Sequence, residues 1–171
     1  SSGNASIEDL QEAIDVLRNN GCNQICMLKC TAAYPAKKED ANLLTINDMI
    51  TRYNVVGGLS DHTLGIEVPT ISVAMGASVI EKHFTLNRAD GGADSAFSME
   101  PEEMKQLVLE TERAWLSLGE VKYGPSDAEK SSLVFRRSLY IAEDMKKGEV
   151  LNEKNMRIVR PGLGLPPKYY D

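Results

Sequence analysis

The chain has 171 residues, 42% of them hydrophobic, and a net charge of −6. That length supports one core of moderate size, and the acidic balance argues against nucleic acid as the main partner. No apolar run approaches the roughly 18 residues that a membrane-spanning helix needs.

The charge is uneven. Residues 1–119 carry 9 basic and 17 acidic side chains, residues 120–171 carry 10 and 8, so a domain boundary is expected near residue 120. The start, Ser1 to Ser6, is neither an initiator Met nor a signal peptide. The last residues, Pro166 to Asp171, break off after what reads as an ordered loop, so the chain is expected to be a fragment.

Ser6-Ile7-Glu8-Asp9 reads as a capping box with Asp in place of Glu, and Ile7, Leu10, Ala13, Ile14 and Leu17 recur at helical spacing up to Asn19-Asn20-Gly21. Ile25 to Cys30 is an apolar run patterned as a strand buried on both faces, leaving through Thr31-Ala32-Ala33-Tyr34-Pro35. Cys22, Cys26 and Cys30 match no zinc spacing and are odd in number, so they read as small apolar side chains of a cytosolic protein.

Leu43, Ile46, Met49, Ile50 and Tyr53 mark a second amphipathic helix. The strand Val55 to Leu59 follows and exits through Ser60-Asp61-His62. A third helix is expected over Ile66 to Met75, and then a strand over Val79 to Phe84 that contains Glu81-Lys82-His83. Ala89 to Ser98 has the composition of a binding loop or lid. Pro101 opens a longer helix that Gly119 stops.

Three helix–strand pairs at this spacing predict parallel strands with right-handed crossovers, either an open doubly wound sheet or part of a (β/α)8 barrel. No Gly-x-Gly-x-x-Gly follows a strand, which weakens a dinucleotide-binding version. Beyond a Ser-, Gly- and charge-rich linker, Phe135 to Ala142 and Met156 to Arg160 read as strands of a small β-rich module.

The chemistry gathers at the strand exits. His62 and His83 are the two histidines of the chain. At the ends of adjacent parallel strands, whose axes lie about 4.8 Å apart, they can reach one Mn²⁺, Fe²⁺ or Zn²⁺. Glu81, two residues before His83, points to the same side. It suits a general base or an acceptor for a substrate hydroxyl, with an ion pair to an unseen residue as the bland alternative. Asp61 alternates with Ser60 and His62 and is expected to face away, into structural hydrogen bonds. Ser1, Tyr34 and Ser60 offer hydroxyls suited to phosphate or carboxylate oxygens, or simply to loop hydrogen bonds. Asp94 reads as a substrate-hydroxyl contact or a loop turn. Arg136, Arg137 and Arg160 supply cations in the small module, where a solvated strand face is the default.

Leu28 to Pro35, Gly58 to Thr63 and Glu81 to Phe84 together resemble the sialic acid synthase family. Asp94 to Met99 and Arg160 to Leu165 resemble its pseudaminic acid synthase branch. The resemblance runs the length of the chain and implies an α/β fold: the C-terminal part of a (β/α)8 TIM barrel over residues 1–119, a linker over 120–134, and a partial antifreeze-like (SAF, β-clip) domain over 135–171. It implies a cytoplasmic transferase that condenses phosphoenolpyruvate with an amino-sugar aldehyde, 2,4-diacetamido-2,4,6-trideoxy-altrose in this branch, to a nonulosonic acid and phosphate. N-acetylneuraminate or legionaminate synthesis is the alternative.

Carried over by position, His62 and His83 match metal ligands, with Mn²⁺ the expected ion. Ser1, Tyr34 and Ser60 match phosphoenolpyruvate contacts, Glu81 is the catalytic candidate, and Glu81 and Asp94 lie near the sugar. Arg160 matches an arginine that the SAF domain of a partner subunit inserts into its neighbour's barrel, in a domain-swapped homodimer. Ala32 departs from the Asn or Ser usual at a phosphoenolpyruvate contact, a loss of one hydrogen bond, on the order of 1 kcal/mol. The family's active-site lysines fall outside this chain, so the fragment alone is expected to be inactive. Two readings of other classes compete: a metal-dependent barrel hydrolase using His62 and His83, and a carbohydrate-binding SAF module.

Overall fold

Ser6 and Asp9 close the reciprocal capping box in the computed structural model, which describes residues 1–170. The Asp9 amide donates to Ser6 Oγ at 3.1 Å and the Ser6 amide to Asp9 Oδ2 at 2.8 Å. Helix α1 (Ile7–Asn19) starts there. It packs Ile14 with Met27, Met49, Tyr53 and Val55 into one core cluster. Each such fully buried side chain contributes about 1.5–3 kcal/mol. The rest of the first unit follows as β1 (Cys26–Cys30), α2 (Leu44–Tyr53), β2 (Val56–Asp61), α3 (Glu67–Ala74), β3 (Val79–Lys82) and α4 (Pro101–Leu118).

The three strands pair in parallel in the order β1-β2-β3. Gly58 lies opposite Leu28 and Val79, and Ser60 lies opposite Cys30 and Glu81. Leu59 joins Ala41, Ile46, Val68 and Ala77 in a second core cluster, so the odd-numbered side chains of β2 face the helices. The even-numbered ones, Gly58 and Ser60, with His62 after them, face the other way. Gly58 is glycine because the strands leave no room: a Cβ there would sit 2.6 Å from the Val79 carbonyl oxygen.

Within this sheet, two expectations need correction. The strand expected over Val79 to Phe84 ends at Lys82, because the next backbone groups turn to another partner. Met99 N donates to the His83 carbonyl at 2.8 Å and Thr85 N to the Met99 carbonyl at 2.9 Å, with Phe84 bridged to Met99. Nor is β1 buried on both faces: Cys26 is exposed and Leu28 and Lys29 are half-buried.

Contacts divide the chain into Ser1–Glu120 and Val121–Asp171. In the second unit, Ser126 and Glu129 cap a 3₁₀ segment, Asp127–Phe135, that runs through the stretch read as linker and one residue into the expected strand. The apolar Leu133-Val134-Phe135 belongs to that segment, and β4 (Ser138–Ile141) starts later than the pattern suggested. It pairs antiparallel with β5 (Met156–Val159). After β5 the chain crosses β4 closely: Leu139 N donates to Leu165 O at 2.8 Å, and a Cβ at Gly164 would meet Leu139 O at 2.6 Å. Among the described residues, no helix is long and apolar enough to cross a membrane.

Candidate active site at the strand exits

Alternation along β2 and β3 sets the site. Ser60 and Glu81 are register partners on the inner face, and Ser60 Oγ donates to Glu81 Oε1 at 2.6 Å. Ser60 is buried and Glu81 is exposed. Two residues on, both histidines leave the same face, with ring centres 5.2 Å apart.

The His62 ring is fixed from behind. Its Nδ1 lies 2.8 Å from the Thr31 carbonyl oxygen, which can only accept. Nδ1 is therefore a protonated nitrogen, and in the neutral ring the lone pair falls on Nε2. Lys29 stands behind this contact, donating to Cys30 O at 2.9 Å and Thr31 Oγ1 at 3.1 Å. Burial of its ammonium pushes the Lys29 pKa down.

The loop after β3 closes the other side. Arg88 donates to both carboxylate oxygens of Glu103 and to the Ser98 carbonyl, pinning the loop to the first turn of α4. That hydrogen bond holds the Glu103 carboxyl below the usual carboxylate range. The loop so held brings Asp94 Oδ2 to 3.6 Å from His83 Nδ1. It also sets Phe97 edge-on against His83, at 5.0 Å between ring centres. Tyr34 stands 4.3 Å from the His62 ring and 5.8 Å from Phe97. Four rings thus line one wall of the strand exits, with Glu81 and Ser60 below them.

On the outer face, Asp61 points away from the histidines as alternation predicts. Its carboxylate accepts from Thr63 N at 3.0 Å, Thr63 Oγ1 at 3.1 Å and Lys82 Nζ at 2.7 Å.

The structure thus groups Tyr34, Ser60, His62, Glu81, His83 and Asp94. Ser1 is exposed and joins none of these contacts; its neighbour Ser2 is buried and its Oγ accepts from Cys30 N at 3.0 Å. Arg160 is exposed at the end of β5, in the second unit.

Residues 1–123 match the model of the NeuB family, and residues 136–171 match that of the SAF domain. The chain belongs to the NeuB family. Within this sialic acid synthase family it falls in the pseudaminic branch. It is 44% identical over 172 residues to the pseudaminic acid synthase of Helicobacter pylori, covering 99% of this chain and 50% of that protein. It is 38% identical to the N,N'-diacetyllegionaminic acid synthase of Legionella pneumophila, covering 98% and 48%. Among solved structures it resembles the N-acetylneuraminic acid synthetase of Leptospira borgpetersenii, in complex with citrate. That match has a TM-score of 0.70 and 37% identity, over 77% of this chain and 46% of that one. The NeuB chain spans about half the length of the curated relatives it matches, and its strands and helices are part of a TIM barrel, followed by SAF residues.

The metal that the NeuB resemblance implies fits the two imidazoles. In the neutral tautomer that the Thr31 carbonyl selects, the His62 lone pair lies on Nε2, the arrangement usual behind metal-binding histidines. The 5.2 Å between ring centres lies within the span that one ion bridges at metal–nitrogen bonds of about 2.1 Å. Among the described residues no group of three or more His, Cys, Asp or Glu is placed to hold an ion.

Three contributors escaped the sequence. Phe97 is the lone aromatic in a stretch of Gly, Ala, Asp and Ser, and that contrast was its signal. The Thr31 carbonyl is a backbone group, which no side-chain motif reveals. Lys82 alternates away from His83 and so carries no signal of its own, although the same alternation places it opposite Asp61.

Proposed function

We infer that the protein to which this chain belongs condenses phosphoenolpyruvate with an open-chain amino-sugar aldehyde to give a nonulosonic acid and phosphate. The sugar is 2,4-diacetamido-2,4,6-trideoxy-altrose and the product pseudaminic acid. The observation that carries this reading is the identity of 44% to a pseudaminic acid synthase over 99% of the chain. The paired histidines above a Ser60–Glu81 hydrogen bond give the reading its chemistry.

In the reaction, C3 of phosphoenolpyruvate bonds to C1 of the aldehyde, whose oxygen takes a proton. Water adds at C2, and phosphate leaves with its bridging oxygen, so that C2 becomes the ketone. A divalent ion held by His62 and His83, Mn²⁺ in this reading, supplies a Lewis acid for the aldehyde. Glu81, held by Ser60, positions a sugar hydroxyl or moves a proton at the reacting end. Asp94 accepts from a further hydroxyl. Tyr34 and Phe97 exclude water from one side and orient the sugar. Tyr34 and Ser60 also offer hydroxyls to phosphoenolpyruvate, as does Ser1 in this reading.

The inner-face residues Leu28, Cys30, Gly58, Ser60, Val79 and Glu81 include no cation, and Lys29 and Lys82 belong to the helix-facing side. Phosphoenolpyruvate is an anion, so its charge must be met by groups outside this set. Arg160 of a partner subunit, in a domain-swapped dimer, is one such group, and the half of the protein outside this chain holds others. The 171-residue chain alone is accordingly inactive. The test is phosphate release by the full-length protein with Mn²⁺, phosphoenolpyruvate and each of three sugars, the precursors of pseudaminic, legionaminic and N-acetylneuraminic acids. Turnover is expected with the pseudaminic precursor; turnover confined to another sugar moves the protein to that branch, and none with any overturns the reading.

A further inference from the structure

The β2–β3 ladder stops one residue short of the histidines, at Asp61 and Lys82. Beyond it the two exits bond away from each other. The His62 carbonyl accepts from Ala36 N at 2.9 Å on one flank, and the His83 carbonyl accepts from Met99 N at 2.8 Å on the other. Backbone pairing therefore does not fix the gap between the rings.

What spans it is an ion pair on the outer face. Lys82 Nζ lies 2.7 Å from Asp61 Oδ2, and the two side chains are 3% and 2% exposed. Lys82 also donates to the Thr63 carbonyl, and Asp61 accepts from the Thr63 amide and hydroxyl. The residues before and after His62 are both tied to the residue before His83.

We propose that Asp61 and Lys82 are a positioning pair that sets the separation and aim of His62 and His83. It rests on the functional reading only where it concerns the metal. An ion pair this buried is a poor device for stability alone, since desolvation offsets most of its attraction and apolar residues of similar volume serve as well. Its directional contacts to three atoms of Thr63 are what an apolar pair lacks. A displacement of a fraction of an ångström at this level passes directly to the imidazoles, because one peptide unit separates them from the pair.

The test uses the full-length protein with both charges removed, Asp61→Asn with Lys82→Met, so that neither is left buried alone. Ile14→Val, in the separate cluster under α1, serves as a control for general destabilisation. The proposal expects Mn²⁺, titrated without substrate and followed by electron paramagnetic resonance, to bind the double variant about 10–100-fold more weakly, while Ile14→Val binds as wild type. A crystal structure of the metal-free double variant is expected to show the rings moved from their 5.2 Å separation. Rings that superimpose on wild type, or Mn²⁺ binding weakened equally by both variants, overturn it. If the double variant does not fold, Lys82→Arg decides: it keeps both charges but changes the length of the bridge to Asp61. Unmoved rings in that variant's crystal structure refute the proposal. Wild-type protein that binds no Mn²⁺ refutes the metal reading instead, and the ring positions then judge the pair.

Discussion

Gly58→Ala tests whether the packing of β2 against β3 sets the active site. A methyl at Gly58 would lie 2.3 Å from Leu28 Cδ2 and 2.6 Å from the Val79 carbonyl oxygen. Leu28 can rotate its terminal methyl away; the Val79 oxygen is backbone of β3 and cannot. It sits about 0.8 Å inside the 3.4 Å at which ordinary contact begins, so β3 must move by a comparable amount. Overpacking of this kind costs about 1–3 kcal/mol, less about 0.4–1 kcal/mol regained because alanine restricts the unfolded chain. The larger effect is on geometry. Glu81 and His83 travel with β3 while Ser60 and His62 stay on β2, and a misplacement near 1 Å can cost about 100-fold in rate.

Gly57→Ala is the matched control, because its methyl meets only side chains, Ile50 Cδ1 and Cγ1 at 2.6 Å and Ile46 Cγ2 at 3.2 Å. Both variants of the full-length protein are expected to lose comparable stability in urea denaturation. Only Gly58→Ala should lose about 100-fold in kcat/KM for phosphate release. Equal activity of the two variants at matched stability would refute this reasoning.

Other predictions concern the inner face and the loop. Ser60→Ala removes the 2.6 Å donor to Glu81; a hydrogen bond to a charged group is worth about 1.5–3 kcal/mol, so kcat should fall roughly 10- to 100-fold with Mn²⁺ affinity unchanged. Phe97→Ala removes two ring contacts of about 0.5–1.5 kcal/mol each, and KM for the sugar should rise several-fold while KM for phosphoenolpyruvate stays, as initial-rate kinetics will show. Glu103 has its folded pKa lowered from 4.5, chiefly by the Arg88 hydrogen bond. Its stabilising contribution is therefore complete above about pH 4.5 and lost as pH falls through the lower folded value. Amide exchange in residues 85–98 should accelerate as pH falls below about 4.5, beyond the intrinsic pH trend, and Glu103→Gln should remove that excess.

The histidine pair was legible because a strand has a period of two. Once Val55 to Leu59 and Val79 onward are strands, Ser60, His62, Glu81 and His83 must share a face and Asp61 must leave it. Matching helix–strand spacing gave the parallel order for the same reason, one apolar run per layer. The end of β3 was not legible, because Met99, 16 residues after His83 in the chain, competes for its carbonyl. No local pattern announces such a partner. The 3₁₀ segment before β4 was a different failure. Ser126-Asp127-Ala128-Glu129 carries the capping-box spacing in full, but the Ser-, Gly- and charge-rich composition of residues 120–134 reads as a linker, and Phe135 reads equally well as the start of a strand.

The bond from Met99 N to the His83 carbonyl joins two duties in one peptide group. The segment that delivers Asp94 and Phe97 is sewn to the backbone of a residue that also faces the proposed ion. Reordering the segment is therefore expected to pull on His83, and fixing His83 to quiet the segment. If the proposed sugar and ion both bind here, their affinities are thermodynamically linked: whatever factor the sugar adds to the affinity for the ion, the ion must return to the affinity for the sugar.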